Sequence, residues 1–145
     1  MPKAFLDANI FFAAVASRTG GSYFILELAK QRMIEIATVA YALSEAERNI
    51  QKKLGSRALA AHYENLLAAS PVVQSLAQVP KEQEERLAAL VSAKDIPIVL
   101  GAFLNGATAL ITLDRKHLLD NTRLHTLMSN IAVMTPGDFI QKYFL

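Results

Sequence analysis

Two aspartates stand directly behind short apolar runs: Ala4-Phe5-Leu6 ends at Asp7, and Ala109-Leu110-Ile111-Thr112 leads through Leu113 to Asp114. Runs of this length and content predict buried strands. In open parallel sheets, ligands sit beyond the carboxyl ends of the strands, so a carboxylate at either place faces the usual crevice. The structural alternatives are an Asx turn at Asp7 and an N-cap at Asp114 for the turn Arg115-Lys116-His117-Leu118. Asp95 precedes Ile96-Pro97, where a proline in the first helical turn marks it as an N-cap at the same edge of the sheet. Glu45 and Glu47 both lie off the centre of the apolar stripe Leu43, Ala46, Ile50 and Leu54, and helical periodicity does not choose between them. Grouped carboxylates are hard oxygen donors, the type that Mg²⁺ and Mn²⁺ take. Thr112 offers a hydroxyl to position a carboxylate or a water. His62, His117 and His125 show no zinc-ligand spacing.

The elements that must carry these residues alternate in kind. After Asp7 the apolar stretch Ile10 to Val15 leads to a breaker cluster, Ser17 to Ser22. Ser22 is the expected N-cap of a helix with Phe24, Ile25, Leu28 and Ala29 on one face. Met33 to Thr38 predicts a strand, and about Val39 to Leu54 a long helix stopped by Gly55. Ser56 is placed to cap a second helix carrying Leu59, His62, Leu66 and Leu67, closed by Pro71. Val72 to Val79 fits a short strand or a loop. Pro80 opens a helix whose early Glu82, Glu84 and Glu85 complement its dipole. A helix over Ile98 to Leu104 ends at Asn105-Gly106, and a strand over Ile131 to Met134 and a helix over Pro136 to Tyr143 close the chain. Strands alternating with helices imply an α/β domain with a mainly parallel central sheet flanked by helices.

The 145 residues are 52% hydrophobic and 19% charged, which supports one packed core and argues against disorder. There is no cysteine, so disulfides and thiolate metal sites are excluded, in keeping with a cytoplasmic setting. No signal peptide or apolar run of about 18 residues is found, and a soluble protein without membrane contact is expected. The net charge of +2 is too small to announce a nucleic-acid partner.

Ala4-Phe5-Leu6-Asp7-Ala8-Asn9-Ile10 resembles the opening strand and aspartate of PIN domains. Tyr41-Ala42-Leu43-Ser44-Glu45-Ala46 is similar to the second motif of that family and selects Glu45 over Glu47. Lys94-Asp95-Ile96-Pro97-Ile98-Val99 resembles the third motif, and Ala107 to Asp114 the late strand that ends in T-x-D. The tail Val133 to Phe139 resembles the closing strand and helix. Ala8 stands where threonine is frequent, and Ala40 where proline is common; neither departure removes a carboxylate.

The resemblance spans nearly the whole chain, weakest between about Ser56 and Val79, and implies a single PIN domain over residues 1–145. It further implies a ribonuclease that holds one or two Mg²⁺ or Mn²⁺ ions on Asp7, Glu45, Asp95 and Asp114 and leaves 5′-phosphate and 3′-hydroxyl ends. Small stand-alone members of the family are commonly dimeric toxins of toxin–antitoxin pairs, which adds an antitoxin and a second copy of the chain to RNA as expected partners. The rival from another class is a non-catalytic PIN-like scaffold binding RNA or protein. A phosphatase of the haloacid dehalogenase type fits poorly, because Asn9 stands where its second aspartate belongs. Arg115, Lys116 and His117, just past Asp114, could meet an RNA backbone but are expected rather as exposed polar surface, Phe11, Phe12 and Phe24 as core, and the Glu82 to Glu85 run as a solvated helix face.

Overall fold

A computed structural model describes all residues, Met1–Leu145. The strands are β1 (Lys3–Leu6), β2 (Glu35–Thr38), β3 (Val72–Val73), β4 (Ala109–Ile111) and β5 (Ala132–Met134). They form one sheet in the order β3-β2-β1-β4-β5, every pairing parallel. The chain therefore builds outward from β1 through β2 to β3, then crosses back to start β4 on the other side of β1. That reversal puts the topological switch point between β1 and β4, where an open α/β sheet leaves a crevice at its carboxyl edge. Leu6 pairs with Ile111, and the Asp7 N–H donates to the Ile111 carbonyl at 3.1 Å. Asp7 and Thr112 thus leave adjacent strands side by side.

Eight α-helices flank the sheet: α1 (Ala8–Ala16), α2 (Gly21–Lys30), α3 (Ala40–Lys53), α4 (Ser56–Ala69), α5 (Lys81–Ala88), α6 (Ile96–Asn105), α7 (Thr122–Leu127) and α8 (Pro136–Phe144). Arg115–Leu119 forms a single wide π-helical turn after β4. The fold is α/β with a parallel central sheet flanked by helices, as the alternating pattern predicts. A continuous core of 35 buried apolar residues reaches β1, β2, β4 and β5. Burying a side chain such as Phe5, Leu6 or Ile36 contributes about 1.5–3 kcal/mol each. No helix is long and apolar enough to cross a membrane.

Several helix starts differ from the sequence expectation. Gly20, not Ser22, is the N-cap of α2, and Ser22 is already inside the helix and buried. Its neighbour Gly21 lies where an added Cβ would stand 3.1 Å from Pro136 Cβ, so a close approach of α2 to α8 fixes that entry. Gly55, at φ +94°, takes the N-cap position of α4, and Ser56 becomes its first residue. Phe24, expected in the core, is exposed, and Leu67 stands 82% exposed despite its place in the apolar pattern of α4. Val72–Val73 is a strand, while the rest of the segment to Val79 is loop.

The stripe on α3 decides what faces the crevice. Ala42, Ala46 and Ile50 are buried at intervals of one turn, and they pack the helix on the core. Glu45, Asn49 and Lys53 follow the same spacing on a second stripe, which lines the crevice.

Candidate metal centre

Asp7, Glu45, Asp95 and Asp114 all line one cleft at the carboxyl edge of the sheet. They come from four separate places in the chain: the end of β1, the first half of α3, the start of α6 and the residue before the π-helical turn. Glu45 is half-buried there, whereas Glu47 is exposed and absent from the cleft lining.

Asp7 is only 7% exposed. It caps α1, its Oδ1 accepting from the Ala8 N–H at 2.7 Å, so the expected local backbone bond is present. Its Oδ2 accepts from the Thr112 hydroxyl at 2.8 Å. That hydroxyl in turn accepts from the Asp114 N–H at 3.0 Å. A hydroxyl has one proton to give and two lone pairs; giving it to Asp7 while accepting from the backbone of Asp114 ties the two carboxylates together. Asn9 braces the same corner, its Nδ2 donating to Asp7 Oδ2 at 3.4 Å and its Oδ1 accepting from the Leu113 N–H at 3.2 Å.

Burial pushes the Asp7 carboxyl up to about 6, and the charges of Asp95 and Glu45 push the same way. The bonds from Thr112 and the Ala8 N–H oppose both. Thr112→Val keeps the side-chain shape and removes the hydroxyl. Asp7 then loses a donor to its charged form and the Asp114 N–H loses an acceptor. We expect a loss of roughly 1–3 kcal/mol in denaturant unfolding. The Asp7 carboxyl, followed by NMR titration, should move above its wild-type value; an unmoved titration would remove Thr112 from its positioning role.

Asp95 occupies the N-cap position of α6 but makes no capping bond. Its Oδ2 accepts instead from the Ser92 hydroxyl at 2.8 Å, although the residue is 5% exposed. The expectation of a capping carboxylate is corrected here: Asp95 adopts helical backbone angles and its side chain lines the cleft. Asp114 does cap, accepting from the His117 N–H at 3.0 Å, and still lines the cleft. None of the four carboxylates forms an ion pair with a lysine or arginine. Lys53 and Lys94 reach the cleft walls without pairing to its acids, and Lys53 Nζ lies 5.8 Å from the centre of the Phe12 ring. Four acids with no lysine or arginine partner, two of them buried and one raised chiefly by that burial, form a hard-oxygen donor set that fits a divalent ion.

His117 is the residue that sequence reasoning missed. It was expected as exposed polar surface, yet it is half-buried and its Nδ1 lies 3.3 Å from Asp114 Oδ2. One ligand atom each from Asp95, Asp114 and His117 lie within 4.8 Å of one another. The available signal was the i, i+3 spacing of Asp114 and His117 in a predicted turn, which places both side chains on one side.

A parallel sheet ordered 3-2-1-4-5, with acids behind its two central strands, has the architecture of a PIN-like α/β domain. Among solved structures, the chain superposes on a chain of VapBC2 from Rickettsia felis, crystallised bound to a DNA fragment from its promoter. The TM-score is 0.67 over 92% of this chain and 98% of that one, at 19% identity. The likeness shows that the two chains share one fold. No family model matches the chain, and none of the curated proteins is similar to it in sequence.

Proposed function

We propose that this chain is a metal-dependent endoribonuclease whose catalytic unit is the whole of residues 1–145, with Asp7, Glu45, Asp95 and Asp114 as ligands for Mg²⁺ or Mn²⁺. The observation that carries the reading is that those four carboxylates, none paired with a lysine or arginine, line one cleft at the switch point of the sheet. The likeness to a chain of a VapBC complex supports a toxin role with an antitoxin protein as partner; a homodimer is the assembly expected from the sequence resemblance alone.

In this reading the chain's own groups act by position and charge. The Ala8 N–H and Thr112 hydroxyl fix the Asp7 carboxylate, Ser92 orients Asp95, and the Asp114 carboxylate is aimed by its cap on the π-helical turn. A bound divalent ion supplies Lewis acidity toward a phosphodiester and lowers the pKa of a water. Lys53 and Lys94, on the cleft walls and free of ion pairs, offer positive charge to backbone phosphates. Hydrolysis of the P–O3′ bond leaves 5′-phosphate and 3′-hydroxyl ends, with no covalent intermediate on the protein.

The test is incubation of labelled RNA with the protein in Mn²⁺ or Mg²⁺, beside EDTA and Asp114→Asn. Cleavage that needs both the ion and the carboxylate is the expected result, with a fall of about a hundredfold or more in the variant, the scale typical of losing one electrostatic stabiliser. RNA binding that persists without cleavage in both metals would favour a non-catalytic scaffold. A folded protein that neither cuts RNA nor responds to metal would end the nuclease reading.

A further inference from the structure

The acids of the cleft are all oxygen donors, but His117, which stands just outside the cleft lining, brings a ring nitrogen to Asp114. His117 stands one turn beyond it on Arg115–Leu119, a turn of π-helical width. Its imidazole Nδ1 faces Asp114 Oδ2 at 3.3 Å. That is longer than a charge-assisted hydrogen bond, about 2.7–2.9 Å, so the two groups are neighbours without being a tight ion pair. Asp95, from a different part of the chain, brings a carboxylate oxygen into the same 4.8 Å cluster. The remaining bonds leave capacity on each group. Asp114 uses Oδ1 for the His117 N–H and turns Oδ2 to the imidazole. Asp95 accepts from Ser92 on Oδ2 and keeps Oδ1 available.

We propose that His117 is a metal ligand, joining Asp95 and Asp114 around one divalent ion, and that its nitrogen makes this centre favour Mn²⁺ over Mg²⁺. The inference rests on the metal-dependent reading above and adds a residue and a selectivity to it. Mg²⁺ takes oxygen ligands almost exclusively and gives up water reluctantly. First-row transition ions accept imidazole readily. A carboxylate-only cleft would accept either ion, so a nitrogen at its edge discriminates between them. The role requires the Nδ1 lone pair to be free, with the ring proton on Nε2. One consequence is that the two-aspartate, one-histidine group acts as a unit, while Asp7 and Glu45 complete the cleft from the β1 and α3 sides.

The experiment measures Mn²⁺ and Mg²⁺ affinity of the full chain by calorimetry, together with the electron-spin-echo spectrum of bound Mn²⁺, for wild type, His117→Asn and His117→Ala. Both variants keep the backbone N–H that donates to the capping Asp114 carboxylate, and melting in EDTA reports whether each is folded. Wild type should show nitrogen hyperfine coupling to Mn²⁺, absent in both variants. Its Mn²⁺ affinity should fall about tenfold or more on substitution, since even outer-sphere partners of metal ligands cost 10–100-fold, while Mg²⁺ affinity changes little. Mn²⁺ bound without nitrogen coupling, or with equal affinity in wild type and variants, overturns the His117 assignment and leaves the carboxylate site standing. Absence of binding by either ion to the folded wild type overturns both.

Discussion

Asp7→Asn should melt later than wild type in EDTA at pH 7.5 and yet lose RNA cleavage by about a hundredfold or more. The two effects have one cause. In the folded, metal-free chain, burial and the Asp95 and Glu45 charges raise the Asp7 carboxyl from its ordinary 3.8 to about 6. A carboxyl raised in the folded state favours folding most in its protonated form. Its contribution is fully present below about pH 4 and is lost as pH rises through about 6. At neutral pH the ionised group costs about 3 kcal/mol relative to an unperturbed one, from about 1.4 kcal/mol per pKa unit. Asparagine removes the charge while keeping the oxygen that accepts from the Ala8 N–H, and its amide can donate to the Thr112 hydroxyl. The stabilisation should therefore appear above about pH 6 and vanish near pH 4. Mn²⁺ should reverse the ranking, because only the ionised wild type gains from a cation. Equal melting temperatures at pH 7.5 in EDTA would mean that Asp7 is not under the strain its burial implies.

That tension explains which parts of the site were legible beforehand. Asp7 and Asp114 each follow a run of apolar residues, and a strand that must be buried announces its own end. The chain order of the elements then places those ends beside one another, as the Leu6–Ile111 pairing shows. Glu45 is different. The apolar pattern of α3 says which face is buried but not which of the remaining faces looks into the crevice, and Glu45 and Glu47 differ only in that. Resemblance to a family selected Glu45, and the cleft lining now separates the two. His117 was only partly legible: its i, i+3 spacing from Asp114 could be seen, but the direction of its ring also depends on a π-helical turn, a geometry that ordinary helical spacing does not predict. Ser22 and Ser56 failed as caps because neighbouring glycines took the cap positions. Leu67 matched the apolar spacing of α4 but faces away from any neighbour that would bury it. Local pattern thus located the strand-end aspartates, while side-chain direction at the helix-borne residues waited on tertiary packing.

Gly101→Ala is expected to be the most damaging single-methyl change in the chain. An added Cβ there would stand 2.5 Å from Phe5 Cζ and 2.5 Å from Val39 Cγ1, distances that require something to shift. Neither neighbour can move freely: Phe5 and Val39 are both buried, and Phe5 sits on the central strand of the sheet. Glycine in mid-helix normally weakens a helix by about 1 kcal/mol relative to alanine, so alanine would be favoured here if space allowed. It does not, and overpacking should cost roughly 1–3 kcal/mol net, or several degrees of melting temperature. The consequence reaches the site because α6 begins one residue after Asp95 and β1 ends one residue before Asp7. Wedging α6 away from β1 moves Asp95 relative to Asp7, so metal affinity should fall together with stability. Gly106→Ala is the informative contrast. Its φ of +68° makes alanine strained, but nothing lies within 4 Å of the new Cβ, so it should lose about 1 kcal/mol and bind Mn²⁺ as wild type does. Unchanged Mn²⁺ affinity in a destabilised Gly101→Ala would show that the packing of α6 on β1 is not what sets the spacing of the two aspartates.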